Sequence, residues 1–224
     1  MIEIRDVTHS YGERVVLRSV SVTLAERRIG VIGANGSGKS TFARLLNALV
    51  VPDAGTVTVH GADTAKDAAA VRRMVGFMFT DPDAQIVMPT VAEDVAFGLR
   101  RRRLGKDKTE WMVAEALERV GLSGHAEHPA HLLSGGQKQL LALTSVLVTE
   151  PRILVCDEPT TLLDLPNTRR VLDLIDELPQ QVVMITHDLE SVAEYDRVLV
   201  FDDGRLVADD EPGPAVAFYR ALVT

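Results

Sequence analysis

The sequence predicts an α/β fold with a parallel sheet at its core. Three short, almost continuous apolar segments, RRIGVIG, RILVCDEP and QVVMITHD, are typical of strands that helices cover on both faces. Apolar residues at helical spacing follow the first segment and separate the other two, so strands and helices alternate along the chain. This alternation favours a doubly wound parallel sheet.

The remaining segments predict two additions to that core. IEIRDVTHSYG and VVLRSVSVTL alternate apolar and polar residues, which predicts an N-terminal antiparallel β subdomain. TVAEDVAFGL and TEWMVAEALERVGL have helical spacing and many charges, which predicts an inserted α-helical subdomain. We expect one domain over residues 1–224, with the core and β subdomain in residues 1–80 and 144–224 and the helical subdomain in residues 81–143.

Composition and charge restrict the functional class. The 224 residues are 46% hydrophobic and 25% charged, as in ordinary globular proteins, and the net charge of −8 argues against a nucleic-acid-binding protein. The one cysteine, Cys156, has no internal disulfide partner, which fits a reducing cytoplasm. We expect neither a signal peptide nor a membrane span, because no apolar run reaches about 18 residues. Any role at a membrane would depend on partner subunits.

A glycine-rich loop between a predicted strand and a predicted helix carries the strongest chemical signal. GANGSGKS, Gly33–Ser40, matches the pattern G-x-x-x-x-G-K-[ST] of phosphate-binding loops. We expect Lys39 to reach the β- and γ-phosphates of a nucleotide, Ser40 to bind Mg²⁺ and Thr41 to add a phosphate contact. A glycine-rich turn without a ligand is the alternative, and the flanking strand and helix argue against it. The other expected nucleotide-binding residues of the loop are Gly33, Ala34, Asn35, Gly36, Ser37 and Gly38.

Two acidic residues and a histidine follow the later apolar strands. Asp157 fits the Walker B role of holding the Mg²⁺ shell, and its neighbour Glu158 is the candidate that polarises a water for attack on the γ-phosphate. His187 follows the next strand, and strand ends line the ligand crevice of a doubly wound sheet. We therefore expect His187 beside Lys39 and Glu158, as a third candidate catalytic residue. The alternatives are a solvated pair of acids and a structural histidine.

A second loop, LSGGQKQ at Leu133–Gln139, also has the features of a phosphate-facing helix start. Its glycines precede an apolar helix, whose first N–H groups can bind an anion. Ser134 and Gln137 alternatively form a capping box that needs no ligand, although a capping box does not account for Gly135 and Gly136. The loop belongs to the predicted helical subdomain, away from the glycine-rich loop. We therefore expect it to face the nucleotide of a second copy.

LSGGQ together with the Walker motifs resembles the signature of ATP-binding-cassette (ABC) ATPases, and the resemblance covers essentially the whole chain. It implies a P-loop NTPase (RecA-like) core, ATP and Mg²⁺ as cofactors, and two cassettes packed head to tail. Each ATP would lie between the Walker A loop of one subunit and the signature loop of the other. Ser134, Gly135 and Gly136 would bind the γ-phosphate in the other subunit, and Gln137 belongs to the same nucleotide-binding set.

The resemblance assigns further roles residue by residue. Tyr11 matches the aromatic residue that stacks on adenine, although a plain strand residue fits the sequence equally well. Glu158 matches the catalytic glutamate, His187 the switch histidine, and Asp164 the aspartate of the loop that crosses the dimer interface. Leu162 is a mild departure, because a small residue usually stands there.

One position departs more strongly from the resemblance. Many relatives have F-Q-N-P-D where this chain has FTDPD, so Thr80 replaces a glutamine that contacts Mg²⁺ and the attacking water. A threonine hydroxyl still offers an oxygen, on a side chain roughly two bonds shorter. Thr80 therefore stays a candidate metal residue. Its shorter side chain would reach Mg²⁺ through an inward movement of the loop or through a bridging water, or it would make only a weak contact. Gln85 lies nearby, in a segment that relatives use to meet the membrane subunit.

The segment DPDAQIVMPTVAEDVAFGL resembles energy-coupling-factor (ECF) importers, and most closely their biotin branch. The resemblance implies the ATP-hydrolysing subunit of a vitamin importer, peripheral to the cytoplasmic face of the cell membrane. The implied partners are a second cassette, expected as a homodimer, a transmembrane coupling subunit and a small substrate-binding membrane subunit. The alternatives are an importer of cobalt, nickel or another vitamin, and a soluble ABC ATPase of translation or DNA repair. A P-loop kinase would leave LSGGQ unexplained.

Overall fold

The structure, a computed structural model, describes residues 1–224 and separates into two units of dense internal contact. The first unit comprises Met1–Phe77, Arg152–Glu158 and Pro179–Thr224, and the second comprises Met78–Pro151 and Pro159–Leu178. Residues 81–143, the predicted helical subdomain, fall in the second unit, and the boundary of that subdomain stays a prediction. None of the helices combines the length and apolarity that crossing a membrane requires.

The strands are β1 (Ile2–Tyr11), β2 (Arg14–Leu24), β3 (Arg28–Gly33), β4 (Ala54–Val59), β5 (Ala62–Asp63), β6 (Val75–Met78), β7 (Ile153–Asp157), β8 (Gln181–Ile185), β9 (Arg197–Asp202) and β10 (Arg205–Asp210). The α-helices are α1 (Lys39–Leu46), α2 (Ala68–Met74), α3 (Val91–Leu99), α4 (Lys106–Arg119), α5 (Gly135–Leu147), α6 (Leu165–Asp176) and α7 (Pro212–Leu222).

The larger sheet has the spatial order β10-β9-β3-β8-β7-β6, and its β9, β3, β8 and β7 run parallel. Every residue of β3 and of β7 is buried, which is why both strands are continuous apolar runs. The last residue of β7, Asp157, pairs with the last residue of β8, Ile185. Parallel strands thus end at one edge of the sheet, as the predicted α/β class requires, and that class is confirmed.

The smaller sheet, in the order β2-β1-β4-β5, confirms the predicted antiparallel β region. Its strand pairs β1–β2, β1–β4 and β4–β5 are all antiparallel. β9 and β10 form an antiparallel hairpin, and the two residues between the strands, Asp203 and Gly204, have φ of 40° and 76°. Two successive positive φ angles are characteristic of the type I′ turn that an Asp-Gly pair favours.

Two predicted helical stripes extend beyond the helices that form. Phe42, Leu45, Leu46 and Leu49 have helical spacing and predict a helix that reaches Leu49, but α1 ends at Leu46 and the side chain of Leu49 is 46% exposed. The chain leaves the helix because Ala48 adopts a left-handed φ of 57°. Similarly, α6 ends at Asp176, before Leu178. Apolar spacing identifies the buried face of a helix and contains no information about its last residue.

The second unit is helical, with α3, α4, α5 and α6 as its main elements. Asp94 on α3 is buried, and its carboxylate accepts bonds from the backbone N–H groups of Val87 and Met88 at 2.9 and 3.1 Å and from the Ser145 hydroxyl at 2.7 Å. These bonds fasten the segment before α3 and the helix α5 to the same carboxylate. The helix α5, whose first turn carries the LSGGQ motif, is therefore fastened to this framework near its C-terminal end.

Candidate functional site

A cavity of about 250 Å³ opens beside the glycine-rich loop of the first unit. The loop, the ends of β1 and β2 and the acid that follows β7 all contribute to its walls. The lining residues are Tyr11, Arg14, Val16, Asn35, Gly36, Gly38, Lys39, Ser40, Thr41 and Glu158. Eight of these were singled out from the sequence, whereas Arg14 and Val16 were not, because they precede the loop by about 20 residues and match no motif of their own.

The glycine-rich loop has a backbone that side chains would block. Gly38 has φ of 102°, and a Cβ on it would lie 2.7 Å from the carbonyl oxygen of Val16. Gly33 has φ of 150°, and a Cβ on it would lie 2.2 Å from the carbonyl oxygen of Phe201. Gly38 is also the N-cap of α1 and supplies no side-chain cap. The first N–H groups of α1 therefore have no side-chain acceptor at the cap, which is the property of an anion-binding helix start.

Lys39 is the buried cation of this loop. Its side chain is 4% exposed, and its Nζ donates to the carbonyl oxygens of Gly33 and Ala34 at 2.7 and 2.8 Å. Burial lowers the pKa of Lys39 below its usual value, although the charges of Glu158 and Asp157 act in the opposite direction. The charge of Lys39 is stabilised by two backbone carbonyl groups and by the nearby carboxylates of Glu158 and Asp157. A phosphate group would add a further negative charge and further hydrogen-bond acceptors for this ammonium group.

Asp157 and Ser40 form an oxygen pair at the strand edge. The Ser40 hydroxyl donates to Oδ1 of Asp157 at 2.8 Å, and an Nη2 atom of Arg44 lies 4.0 Å from Oδ2. Burial raises the pKa of Asp157, because its charged form loses water, while the bond from Ser40 and the charge of Arg44 oppose this rise. Arg44 was not predicted, although its position one helical turn after Ser40 was a usable signal.

Glu158 and His187 lie side by side. Nδ1 of His187 is 3.1 Å from Oε2 of Glu158, and the backbone N–H of Glu158 donates to the carbonyl oxygen of Ile185 at 2.9 Å. Glu158 has a left-handed φ of 52°, a conformation that costs a residue with a Cβ about 1–2 kcal/mol. The structure thus brings the two predicted residues together at the end of β7, and their catalytic roles stay predictions.

Tyr11 is the last residue of β1 and borders the cavity. Its side chain is 49% exposed, and its ring contacts the ring of His9 edge-on, with centroids 4.9 Å apart. An exposed aromatic face beside a cavity is what stacking on a flat ligand needs. Stacking on adenine stays a prediction.

The LSGGQ loop lies in the second unit and forms the capping box that was the alternative interpretation. Ser134 N–H donates to Oε1 of Gln137 at 2.9 Å, and Gln137 N–H donates to Oγ of Ser134 at 3.3 Å. A Cβ on Gly135 would meet no atom within 4 Å, whereas a Cβ on Gly136 would lie 2.3 Å from the Asn167 side chain. Packing therefore accounts for Gly136, and only Gly135 is left without an internal explanation.

Asp164 is connected to the LSGGQ loop through Asn167, which the sequence analysis missed. Asp164 is the N-cap of α6, and its Oδ1 accepts bonds from the backbone and side-chain amide groups of Asn167 at 3.1 and 2.7 Å. The same Asn167 side chain packs against Gly136. Asn167 stands three residues after an N-cap aspartate, a position that predicts a capping contact but not the contact with a second loop.

Thr80 and Gln85 both lie in the second unit, after β6. Thr80 is half-buried, and its role at a metal stays a prediction. The side chain of Gln85 is engaged within its own unit: its Oε1 accepts from the N–H of Phe79 at 3.1 Å, and its Nε2 donates to the carbonyl oxygen of Ala142 at 3.0 Å. These bonds fix the segment around Thr80 against α5.

Comparison with known proteins identifies the family. A family model described as ABC transporter matches residues 17–161. The chain belongs to the ABC transporter family. A relative from Deinococcus radiodurans with the provisional name ABC transporter ATP-binding protein is 57% identical over 100% of this chain and 99% of its own. The biotin transport ATP-binding protein BioM of Rhizobium etli is 49% identical, with 95% of each chain covered.

Solved structures of ABC ATPases share the fold of this family member. CbiO1 of Clostridium perfringens, described as part of the ABC transporter complex cbiONQ, superposes with a TM-score of 0.85 at 28% identity, covering 99% of this chain and 92% of its own. An ATP-binding cassette described as a dimer in a post-hydrolysis state, bound to ADP and Pi, has a TM-score of 0.84 at 26% identity, covering 95% and 99%. The present chain is accordingly an ABC transporter ATPase that binds and hydrolyses ATP.

Proposed function

We propose that this ABC ATPase drives the import of biotin as the cassette of an ECF-type transporter. The observation that carries the proposal is the 49% identity to the Rhizobium etli BioM over 95% of both chains. BioM of Rhodobacter capsulatus adds support, at 38% identity over 99% of this chain and 95% of its own. In this proposal the cassette is peripheral to the cytoplasmic face of the membrane, and a transmembrane coupling subunit and a small substrate-binding membrane subunit are its partners.

The glycine-rich loop is the proposed holder of ATP. The phosphates would lie against the uncapped start of α1, where Lys39 would exchange its bonds to two loop carbonyls for bonds to phosphate oxygens. The remaining residues from Gly33 to Gly38 would contribute backbone N–H groups, and Ser40 and Thr41 their hydroxyls. Tyr11 would stack on the adenine ring at the open side of the cavity.

The oxygen atoms of Ser40 and Asp157 fit Mg²⁺. A hydroxyl and a buried carboxylate 2.8 Å apart are the hard oxygen donors that Mg²⁺ takes in phosphate sites. Bound Mg²⁺ would neutralise charge that develops on the phosphate oxygens. Its presence would also favour the ionised form of Asp157, against the burial that raises the pKa of this carboxyl group. Thr80 is the proposed additional oxygen donor.

Glu158 is the proposed general base. Its carboxylate borders the cavity and would accept a proton from the water that attacks the γ-phosphate, a contribution of typically ~10²–10⁴-fold in rate. The adjacent Nδ1 of His187 would orient that carboxylate, while the other ring nitrogen would contact the γ-phosphate. Lys39 would stabilise the charge of the transferring phosphate group.

The LSGGQ loop is proposed to complete the site of a second copy in a homodimer. Ser134 accepts the bond from Gln137 N–H through Oγ, which leaves its hydroxyl proton to donate to a phosphate oxygen. Gly135 has open space around it, so a ligand can approach its backbone closely. The structural relative that was solved as a dimer with ADP and Pi supports this arrangement. Asp164, tied to Gly136 through Asn167, would lie at the same interface.

Partner identification tests the proposal. A tagged chain is purified from gently solubilised membranes, and every co-purifying protein is identified. Recovery of a coupling subunit and of a small membrane protein that binds biotin, without a second type of cassette, would support it. Ribosomes or only soluble partners would contradict it.

Cobalt import is the second candidate function. Cobalt import ATP-binding protein CbiO of Syntrophus aciditrophicus is 42% identical over 95% of this chain and 79% of its own, and the CbiO1 structure has the same fold. Radiolabelled biotin and cobalt uptake in the same cells, with and without the gene for this chain, separates the two functions.

A further inference from the structure

His125 contacts the LSGGQ loop, and none of the functions proposed above uses it. Nε2 of His125 is 3.1 Å from the side-chain nitrogen of Gln137. Nδ1 of His125 is buried and has no hydrogen-bond partner. Gln137 is the residue that closes the capping box at the start of α5. His125 therefore contacts the loop through the side chain that shapes it.

Simple hydrogen-bond chemistry fixes the orientation of all three groups. The backbone N–H of Ser134 can only donate, so the Gln137 atom that faces it at 2.9 Å must be the amide oxygen. The amide NH₂ group then points at His125, whose Nε2 must accept and whose proton is on Nδ1. An opposite orientation of the amide would place two donors against each other at Ser134.

We infer that His125 is a positioning residue of the LSGGQ loop. By accepting from Gln137, it holds the amide in the orientation that keeps Ser134 at the N-cap. The Ser134 hydroxyl and the N–H groups of Gly135 and Gly136 are then presented to a phosphate in a single geometry. The inference rests on the proposed in-trans role of this loop. It states that a hydrogen-bond acceptor at position 125 aligns the loop for that role.

Two substitutions separate the acceptor from the rest of the side chain. In a Glu158→Gln background, His125→Leu removes the acceptor, whereas His125→Gln restores a carbonyl oxygen. ATP-dependent dimerisation is followed by analytical ultracentrifugation, and ATP affinity of the monomer by a fluorescent nucleotide. We expect His125→Leu to weaken dimerisation about fivefold per site, because one neutral hydrogen bond contributes about that much. His125→Gln should dimerise nearly as well as the Glu158→Gln parent. The affinity of the monomer for ATP should be unchanged in both variants.

A neighbouring histidine supplies the matched control. The ring of His128 contacts the ring of His125 at a tilt, with centroids 5.0 Å apart, so His128→Leu removes that ring contact and leaves the bond to Gln137 intact. His128→Leu should dimerise like the parent. The inference is overturned if His125→Leu dimerises normally, or if His125→Gln and His128→Leu are impaired as much as His125→Leu. Ser134→Arg identifies failure of the underlying function: if it also dimerises normally, the in-trans role is wrong and the inference with it.

Discussion

The glycine-rich loop of the first unit and the LSGGQ loop of the second both start a helix, but they leave its N-terminus in different states. The start of α1 has no side-chain cap, and the nearby Lys39 is buried on two backbone carbonyls. The start of α5 is closed by Ser134 and Gln137, whose side chains satisfy two N–H groups. The first loop thus presents a buried cation and an uncapped helix start, which favour an anionic ligand, whereas the first N–H groups of the second helix are satisfied by its own side chains.

Under the proposed function, this difference accounts for the presence of two phosphate-binding loops in one domain. In the proposed function, the first loop, with its buried cation and uncapped helix start, binds ATP strongly without a second subunit. In the same proposal, the exposed second loop adds only a few contacts, and it makes them only when ATP and a second subunit are both present. Substitutions in the two loops should therefore change different measured quantities.

The largest effect is expected beside the first loop, at Glu158. Glu158→Gln removes the proposed base and keeps the shape of the side chain, so kcat for ATP hydrolysis should fall by ~10²–10⁴-fold. ATP binding should persist, and a stable dimer should accumulate in ultracentrifugation. Turnover equal to that of the parent protein would remove Glu158 from the mechanism.

The next effect is expected on monomer affinity. Lys39→Ala deletes a buried cation, and ATP affinity measured by calorimetry should fall by about 100-fold, because hydrogen bonds to charged groups contribute about 1.5–3 kcal/mol each. Lys138→Ala is the control, because it removes a lysine of the second unit that pairs with Asp83 at 2.7 Å. The ATP affinity of the Lys138→Ala monomer should equal that of the parent protein. Equal losses in both variants would mean that the two loops do not differ in the way proposed.

Ser134→Arg tests the second loop alone. A long charged side chain at an exposed N-cap should lower ATP-dependent dimerisation at least about tenfold through steric overlap, in line with the loss of a close-packed polar contact at an interface. Monomer affinity for ATP should remain that of the parent. A variant that instead loses monomer affinity would show that the LSGGQ loop contacts the nucleotide of its own chain.

Smaller effects distinguish the two glycines of the second loop. Gly136→Ala forces Asn167 away from Asp164, and we expect a loss of about 1–2 kcal/mol in the free energy of unfolding by urea. Gly135→Ala, which has open space, should be neutral or slightly stabilising. The double variant Gly136→Ala, Asn167→Ala should recover part of the loss, and its failure to do so would argue against the clash.

The smallest effect is a pH dependence of stability in the first unit. Because burial raises the pKa of Asp157, the folded state binds this proton more tightly than the unfolded state, and the resulting stabilisation disappears as pH rises through the raised pKa. Without nucleotide and near neutral pH, Asp157→Asn should therefore have a higher melting temperature than the parent protein. This difference in melting temperature should shrink as the pH is lowered toward about pH 4. A gap that is constant with pH would contradict this origin.

Sequence patterns predicted the first loop better than the second. The positive φ angles of Gly33 and Gly38 and the place of Asp157 at the end of an apolar strand are local properties, so a short motif contains them. The contacts of the second loop with Asn167 and His125 join residues that are about 31 and 12 positions apart, and only packing brings them together. The same reason applies to Arg14 at the cavity, which two strands of the smaller sheet carry to the loop.

Glu158 also matters for anyone who evolves this protein toward heat tolerance. Its left-handed backbone is adopted freely by glycine, so Glu158→Gly would remove about 1–2 kcal/mol of strain together with the carboxylate. With Glu158 as the proposed general base, we expect a library sorted only by survival at high temperature to enrich this change and to return stable cassettes that bind ATP without hydrolysing it. Under that proposal, directed evolution of this ATPase has to reward turnover at every round, because at position 158 stability favours glycine and hydrolysis favours glutamate.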